Sequence, residues 1–139
     1  MINLDDSVKE RLAAAIESGN VLTAAYVETS GRPHVSFYGS THVHGPDQLA
    51  IWVRKADSEL LKTLPESPHM AFLYGDVANR VYYTFEGRGR VSTADRDRVY
   101  DEMHPIERQF DADKKGVAVI IDLDRFTSLS AEGKVVQER

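Results

Sequence analysis

The chain contains no cysteine. Disulfides, thiolate metal sites and thiol nucleophiles are therefore all ruled out. No apolar run approaches the roughly 20 residues that a membrane-spanning helix needs. No lysine- or arginine-rich block stands anywhere, and the formal net charge is −5, which argues against nucleic acid as a main partner. The opening residues, MINLDDSVKER, are acidic and polar with no apolar signal region, so the expected location is cytoplasmic. Internal repeats and linker-like stretches are also missing. What remains is 139 residues, 42% hydrophobic and 28% charged, enough for one core and a single domain over 1–139.

The most patterned stretch is residues 31–68, GRPHVSFYGSTHVHGPDQLAIWVRKADSELLKTLPESP. It reads as strand, turn, strand and a short helix stopped by proline. Its first strand alternates: Val35, Phe37, Thr41 and Val43 point one way, and His34, Ser36, Tyr38, Ser40, His42 and His44 the other. Period-two alternation implies one face on the core, with the polar face left to line a ligand site or a subunit interface. Residues 48–54 alternate similarly, Leu49, Ile51 and Val53 against Ala50, Trp52 and Arg54. Asp57 or Ser58 caps a helix over 59–64.

Ser7 and Glu10 form the S-x-x-E capping-box pattern ahead of Val8, Leu12, Ala15 and Ile16, so the first helix is expected to run from Ser7 to Gly19-Asn20. An apolar strand over 21–28 leads into the 29–32 turn, where Gly31 supplies the backbone freedom a hairpin needs. Strands follow at 69–75 and 80–91, the latter with glycines at 87 and 89 that signal a bulge or bend. A helix opens at Thr93 and must kink or break near His104, because Pro105 has no N–H. Strands at 116–123 and 125–129 follow, with a frayed polar tail after Ser130. Roughly six or seven short strands, hairpin-connected and with about three peripheral helices, favour an antiparallel, mainly β barrel.

This order of elements resembles the pyridoxamine 5′-phosphate oxidase-like family of FMN-binding split barrels. The likeness covers about residues 21–129 and is carried by GRPHVSFY, LAIWVR, the pair Ser58 and Pro68, and EGRGRV before a helix. It implies a homodimeric flavin-dependent oxidoreductase acting on a small molecule, with FMN in a groove between subunits. It implies that Val35, Ser36, Phe37 and Tyr38 lie along the flavin ring, and that Trp52, Val53 and Arg54 lie near the ribityl chain and phosphate. The helix beginning at Ser58 offers N–H groups to the phosphate. One departure concerns the two places after Ser58, where the family commonly carries a basic residue and this chain has Glu59 and Leu60. Arg54, Lys55 and Lys62 are the nearby replacements. Deazaflavin or haem stay open as alternative cofactors, and a non-catalytic binding or sensing module as an alternative role.

Several candidates keep two readings. His34, His42 and His44 include the H-x-H spacing that metals use, but no Asp or Glu shares their face, so a structural or interface role is preferred to a metal site. His34 and His42 are the candidate proton donors. Trp52 either stacks on a ring or fills a core. Arg88 and Arg90 either reach a partner's cofactor or line the outer barrel. The charged run TADRDRVYDEMHPIERQF reads as a solvated helix face.

Overall fold

A computed structural model describes residues 1–139. Eight strands and four helices follow one another: α1 (Asp6–Ala13), β1 (Thr23–Val27), β2 (Pro33–Phe37), β3 (His42–Gly45), β4 (Gln48–Val53), α2 (Glu59–Thr63), β5 (His69–Asp76), β6 (Val81–Val91), α3 (Arg96–Glu102), α4 (Pro105–Gln109), β7 (Val117–Ser130) and β8 (Gly133–Glu138). The sheet is antiparallel, in the order β2-β1-β5-β6-β7-β4-β3, with β8 added to β7. This is the mainly β, antiparallel barrel that the residue pattern favours, in the split form that the resemblance implies.

Closure follows from chain length. β2 and β3 are consecutive in sequence but occupy opposite edges of a seven-strand path. From Phe37 to His42 the backbone reaches at most roughly 18 Å, whereas seven strands laid flat would set those edges about 29 Å apart. The sheet therefore has to curl until its edges nearly meet. The crossing is held by Tyr38 N–H to the Leu22 carbonyl (2.9 Å) and by Thr41 Oγ1 to the Tyr38 carbonyl (2.7 Å).

β7 creates the split. One of its edges pairs with β6; on the other, its first half pairs with β4 and its second half with β8. The β6 register shifts between Glu86 and Gly87, where Asp124 is the extra residue, so the bend expected at the glycines is a bulge.

The barrel interior holds Leu49, Ile51, Phe72, Tyr74, Phe85, Ile121 and Leu123, with Val8 and Leu12 contributed by α1. A smaller cluster lies outside the wall, where Ala50, Trp52, Ala118 and Ile120 meet Val99 and Met103 beneath α3. β4 and the first half of β7 are thus buried on both faces, which explains their nearly unbroken apolar sequence.

Several expectations change. The 33–44 strand is two strands, broken at Tyr38–Thr41, and its faces do not sort as alternation suggested: Val35 and Phe37 are 67% and 74% exposed, while His42 and His44 are buried. The edge-to-edge crossing reorients the chain, so one alternation cannot run through it. The first helix is capped two residues earlier: Asp5, not Ser7, is the N-cap, its side chain accepting from Val8 N–H at 3.0 Å. That helix also ends at Ala13, with turns continuing to Gly19. Val117–Ser130 make one strand, and the tail is not frayed: β8 pairs with β7, and the Met1 amino group donates to the Glu138 carbonyl at 2.7 Å. Pro105 does break the helical run, standing at the first position of α4.

The Asp5 cap is directly testable. Asp5→Ala should lower the urea-derived unfolding free energy by about 1 kcal/mol, whereas Asp5→Asn, an equally good cap, should retain nearly all of it.

Candidate functional site

β4, the β2–β3 crossing and α4 enclose an open cavity of about 930 Å³. Ser36, Phe37 and Tyr38 line one side, Trp52, Val53, Arg54, Lys55 and Ser58 a second, and Ile106, Glu107 and Phe110 a third. Its size suits a cofactor or small ligand.

The floor is rigid because its backbone is tied from both directions. Ser40, buried in the crossing, accepts from Trp52 N–H (2.9 Å) and donates to the Trp52 carbonyl (3.3 Å), joining the crossing to β4 through one hydroxyl. The Trp52 indole donates to Asp111 Oδ2 at 2.8 Å, meets Tyr100 edge-on at 5.0 Å, and lies under the Arg96 guanidinium at 5.1 Å. Only 4% of Trp52 is exposed, so it acts as wall between the cavity and the cluster beneath α3.

Asp111 anchors this arrangement. Its carboxylate also accepts from Gly116 N–H (2.8 Å) and Lys115 N–H (3.0 Å). Burial pushes the carboxyl up, but the donors from Lys115, Trp52 and Gly116 and the charge of Arg96 outweigh it and hold Asp111 below the usual carboxylate range. Gly116 is required by close approach: a Cβ there would stand 2.5 Å from both Trp52 Nε1 and the Val53 carbonyl. Tyr38, by contrast, is pushed up by burial and stays a neutral phenol.

The cavity's cations are Arg54, Lys55 and Lys115, and none of them enters an ion pair. The Arg54 guanidinium sits 5.1 Å over the Phe110 ring, an orientation that leaves its donors free. Ser58 caps α2, its hydroxyl accepting from Leu61 N–H at 3.4 Å.

The structure therefore brings together Ser36, Phe37, Tyr38, Trp52, Val53, Arg54 and Ser58. Val35 lies beside them on β2 but faces solvent. Lys62 is on α2 away from the lining, and Arg88 is on β6, paired with Asp124 at 3.1 Å. His34 is exposed next to Tyr26, ring centroids 4.9 Å apart, and His42 opens to a different cavity. The α4 wall was not foreseen, since its stretch reads as a solvated helix face. The available signal was the Ile106/Phe110 pair, four residues apart immediately after Pro105.

No protein-family model matches the sequence, and no curated protein matches it. The fold, however, recurs in solved structures. HupZ of Group A Streptococcus superposes with a TM-score of 0.72 at 13% identity, covering 95% of this chain and 99% of that one. A pyridoxamine 5′-phosphate oxidase-related, FMN-binding protein of Nostoc punctiforme gives 0.69 at 13% identity, covering 99% and 93%. A haem-binding protein from Mycobacterium smegmatis gives 0.68 at 16% identity, covering 97% of this chain and 59% of that one. The fold is thus that of the pyridoxamine 5′-phosphate oxidase-like split barrels, a scaffold on which flavin-binding and haem-binding proteins both occur.

Asp111 generates a signed pH prediction. An unfolded Asp titrates near pH 3.9 or so, and the folded value is lower, so its stabilisation is complete above the unfolded value and is lost as pH falls through the folded one. Asp111→Ala should reduce stability by about 1–3 kcal/mol at pH 7, since it strands three donors. The gap from wild type should shrink on acidification below about pH 4, followed by the fluorescence of Trp52, the one tryptophan.

Proposed function

We propose that the chain binds FMN in the 930 Å³ cavity as a cytoplasmic homodimer and acts as a flavin-dependent oxidoreductase on a small molecule. The observation that carries this reading is one cavity that joins a polar strand end, Ser36 to Tyr38, to two cations with no carboxylate partner, Arg54 and Lys55. A flavin nucleotide has matching parts: a flat amphipathic ring and a dianionic phosphate. A bound flavin would supply the hydride chemistry, leaving the protein to position and shield it. Ser36 and the neighbouring backbone would orient the ring. Arg54 and Lys55, with Ser58 alongside, would hold the phosphate, and α4 would cover the groove with Ile106 and Phe110. Lys62 and Arg88 remain within the proposed cofactor set only through a second subunit or a changed side-chain position.

The dimer has its own support. Val35 and Phe37 stand exposed on β2, an edge strand, and Phe37 shares the cavity lining with the exposed Phe110. Apolar side chains on an open edge are a liability for a lone chain, and pairing two copies there would complete the cavity wall.

Flavin fits this cavity better than haem. Haem iron takes His, Cys, Met or Tyr as axial ligand, and among the lining residues only Tyr38 is of that kind. The same absence of a cavity-facing imidazole favours one second reading, a flavin- or deazaflavin-binding module without turnover.

An FMN titration tests the assignment. Trp52 fluorescence should be quenched to saturation at one FMN per chain, and Arg54→Ala should weaken affinity about tenfold, as loss of a partly exposed charge-assisted contact implies. Unchanged affinity in Arg54→Ala would remove the phosphate assignment. Phe37→Asp should shift the protein from dimer to monomer in sedimentation and weaken FMN binding with it. Oxidation of NADH or NADPH by the FMN-loaded protein separates turnover from simple binding.

A further inference from the structure

A second cavity, of about 590 Å³, shares no lining residue with the first. At its inner end, ligand atoms of His42, His44 and Glu102 lie within 4.8 Å of one another. The two histidines come from β3 and the carboxylate from the last turn of α3, which supplies the acidic group that β3 itself lacks.

The histidines are prepared in an uncommon way. His42 is 8% exposed and His44 5%. His42 Nδ1 lies 2.8 Å from the Ser40 carbonyl, which only accepts, so the proton is on Nδ1 and Nε2 carries the lone pair. That Nε2, like His44 Nδ1, is buried without any hydrogen-bond partner. Buried polar atoms are nearly always satisfied, so two orphaned imidazole nitrogens on neighbouring histidines of one cavity wall call for a ligand. A backbone carbonyl that orients the far nitrogen of an imidazole is the usual outer support of a metal-ligating histidine. Burial, and for His44 also the Arg98 charge, pushes both below the ordinary histidine range, leaving them neutral.

We propose that His42, His44 and Glu102 form a binding site for a divalent transition-metal ion of the zinc class, with its remaining positions open to water. Two imidazoles and one carboxylate, without thiolate, form a donor set that zinc takes. Bonds of about 2.1 Å in tetrahedral geometry set ligand atoms about 3.4 Å apart. Drawing atoms that lie within 4.8 Å of one another onto one ion requires small movements, and Glu102, whose side chain is 45% exposed, has the room to make them once it leaves Arg98. Arg98 opposes the ion. It contacts Glu102 at 3.3 Å, its Nη1 is 3.5 Å from His44 Nε2, and it donates to the His44 carbonyl. On binding, Glu102 exchanges this exposed ion pair for the metal. Asp95, whose Oδ2 is 3.8 Å from His44 Nε2, adds negative charge on the same side.

The ion would fasten α3 to β3. Through His42 and Ser40 it would also steady the hydroxyl that holds Trp52 in the floor of the larger cavity.

Titration of metal-free, full-length protein with zinc chloride, followed by calorimetry and by the ligand-field spectrum of cobalt(II), tests the site. One ion per chain is expected, at micromolar affinity or tighter. Glu102→Gln, a surface change that keeps the fold, should weaken zinc about tenfold or more and alter the cobalt spectrum. His42→Ala should abolish binding. Arg98→Ala should tighten it, an effect that a purely structural role for the cluster would not produce. The assignment is overturned if zinc fails to saturate, or if Glu102→Gln and His42→Ala both leave affinity and spectrum unchanged.

Discussion

The crossing at Tyr38–Thr41 constrains the whole molecule. It must carry the chain from one edge of the sheet to the other, and its short reach forces the sheet to close. Closure then decides where everything else lies. The strand end before the crossing, Ser36 to Tyr38, faces one cavity, while the strand after it turns His42 and His44 toward another. Ser40, at the centre of the link, is bonded to Trp52 on one side and to His42 on the other. A single hydroxyl and its carbonyl therefore connect both candidate sites.

The outer layer depends on β4 and β7 being buried on both faces. α3 lies over Ala50, Trp52, Ala118 and Ile120, and the loop after α4 returns Asp111 to the Trp52 indole. Small residues at positions 50 and 118 let α3 approach, and Gly116 leaves room for the indole ring. The larger cavity is thus bounded by elements fixed through polar contacts to a well-packed wall. That division suits a binding site, since the rigid parts set the shape and the exposed ends of α4 and β2 can meet a ligand or a partner chain.

Local sequence revealed the architecture where its causes are local. Alternation in 48–54, the Gly31 hairpin, the glycine bulge near residue 87 and the break at Pro105 each follow from the chemistry of a few adjacent residues. The misreadings have non-local causes. Val35 and Phe37 alternate as core residues do, yet no other element of the chain covers their face of β2. Asp5 and Ser7 both carry capping side chains; the Leu4 N–H bond to the Pro46 carbonyl, at 2.7 Å, fixes the entry that selects Asp5. β8 has a largely exposed sequence and forms because the pairing of β4 with β7 goes no further than Gln48 opposite Asp122, leaving the second half of β7 with an open edge. The carboxylate beside His42 and His44 comes from a helix more than fifty residues away, which no spacing rule on one strand could find.

Magnitudes decide how far Glu59 tells against an anionic ligand in the larger cavity. Glu59 does not line it, and its charge acts through water. At about 8 Å in a high-dielectric medium, one unit charge repels another by about 0.5 kcal/mol before salt screening. A direct charge-assisted hydrogen bond from Arg54 or Lys55 contributes about 1.5–3 kcal/mol. Glu107, whose carboxylate lies over Gly39 inside the cavity, is the more serious competitor. Its carboxylate is set against the crossing at Gly39, however, whereas Arg54 reaches the far end of α4 at Phe110 and Lys55 follows β4. The Asp111 charge is already engaged by the Lys115 and Gly116 N–H groups and the indole. The balance at the β4 end is therefore positive. It favours a ligand whose anionic group lies near Arg54 and Lys55 and whose ring extends toward Ser36 and Tyr38.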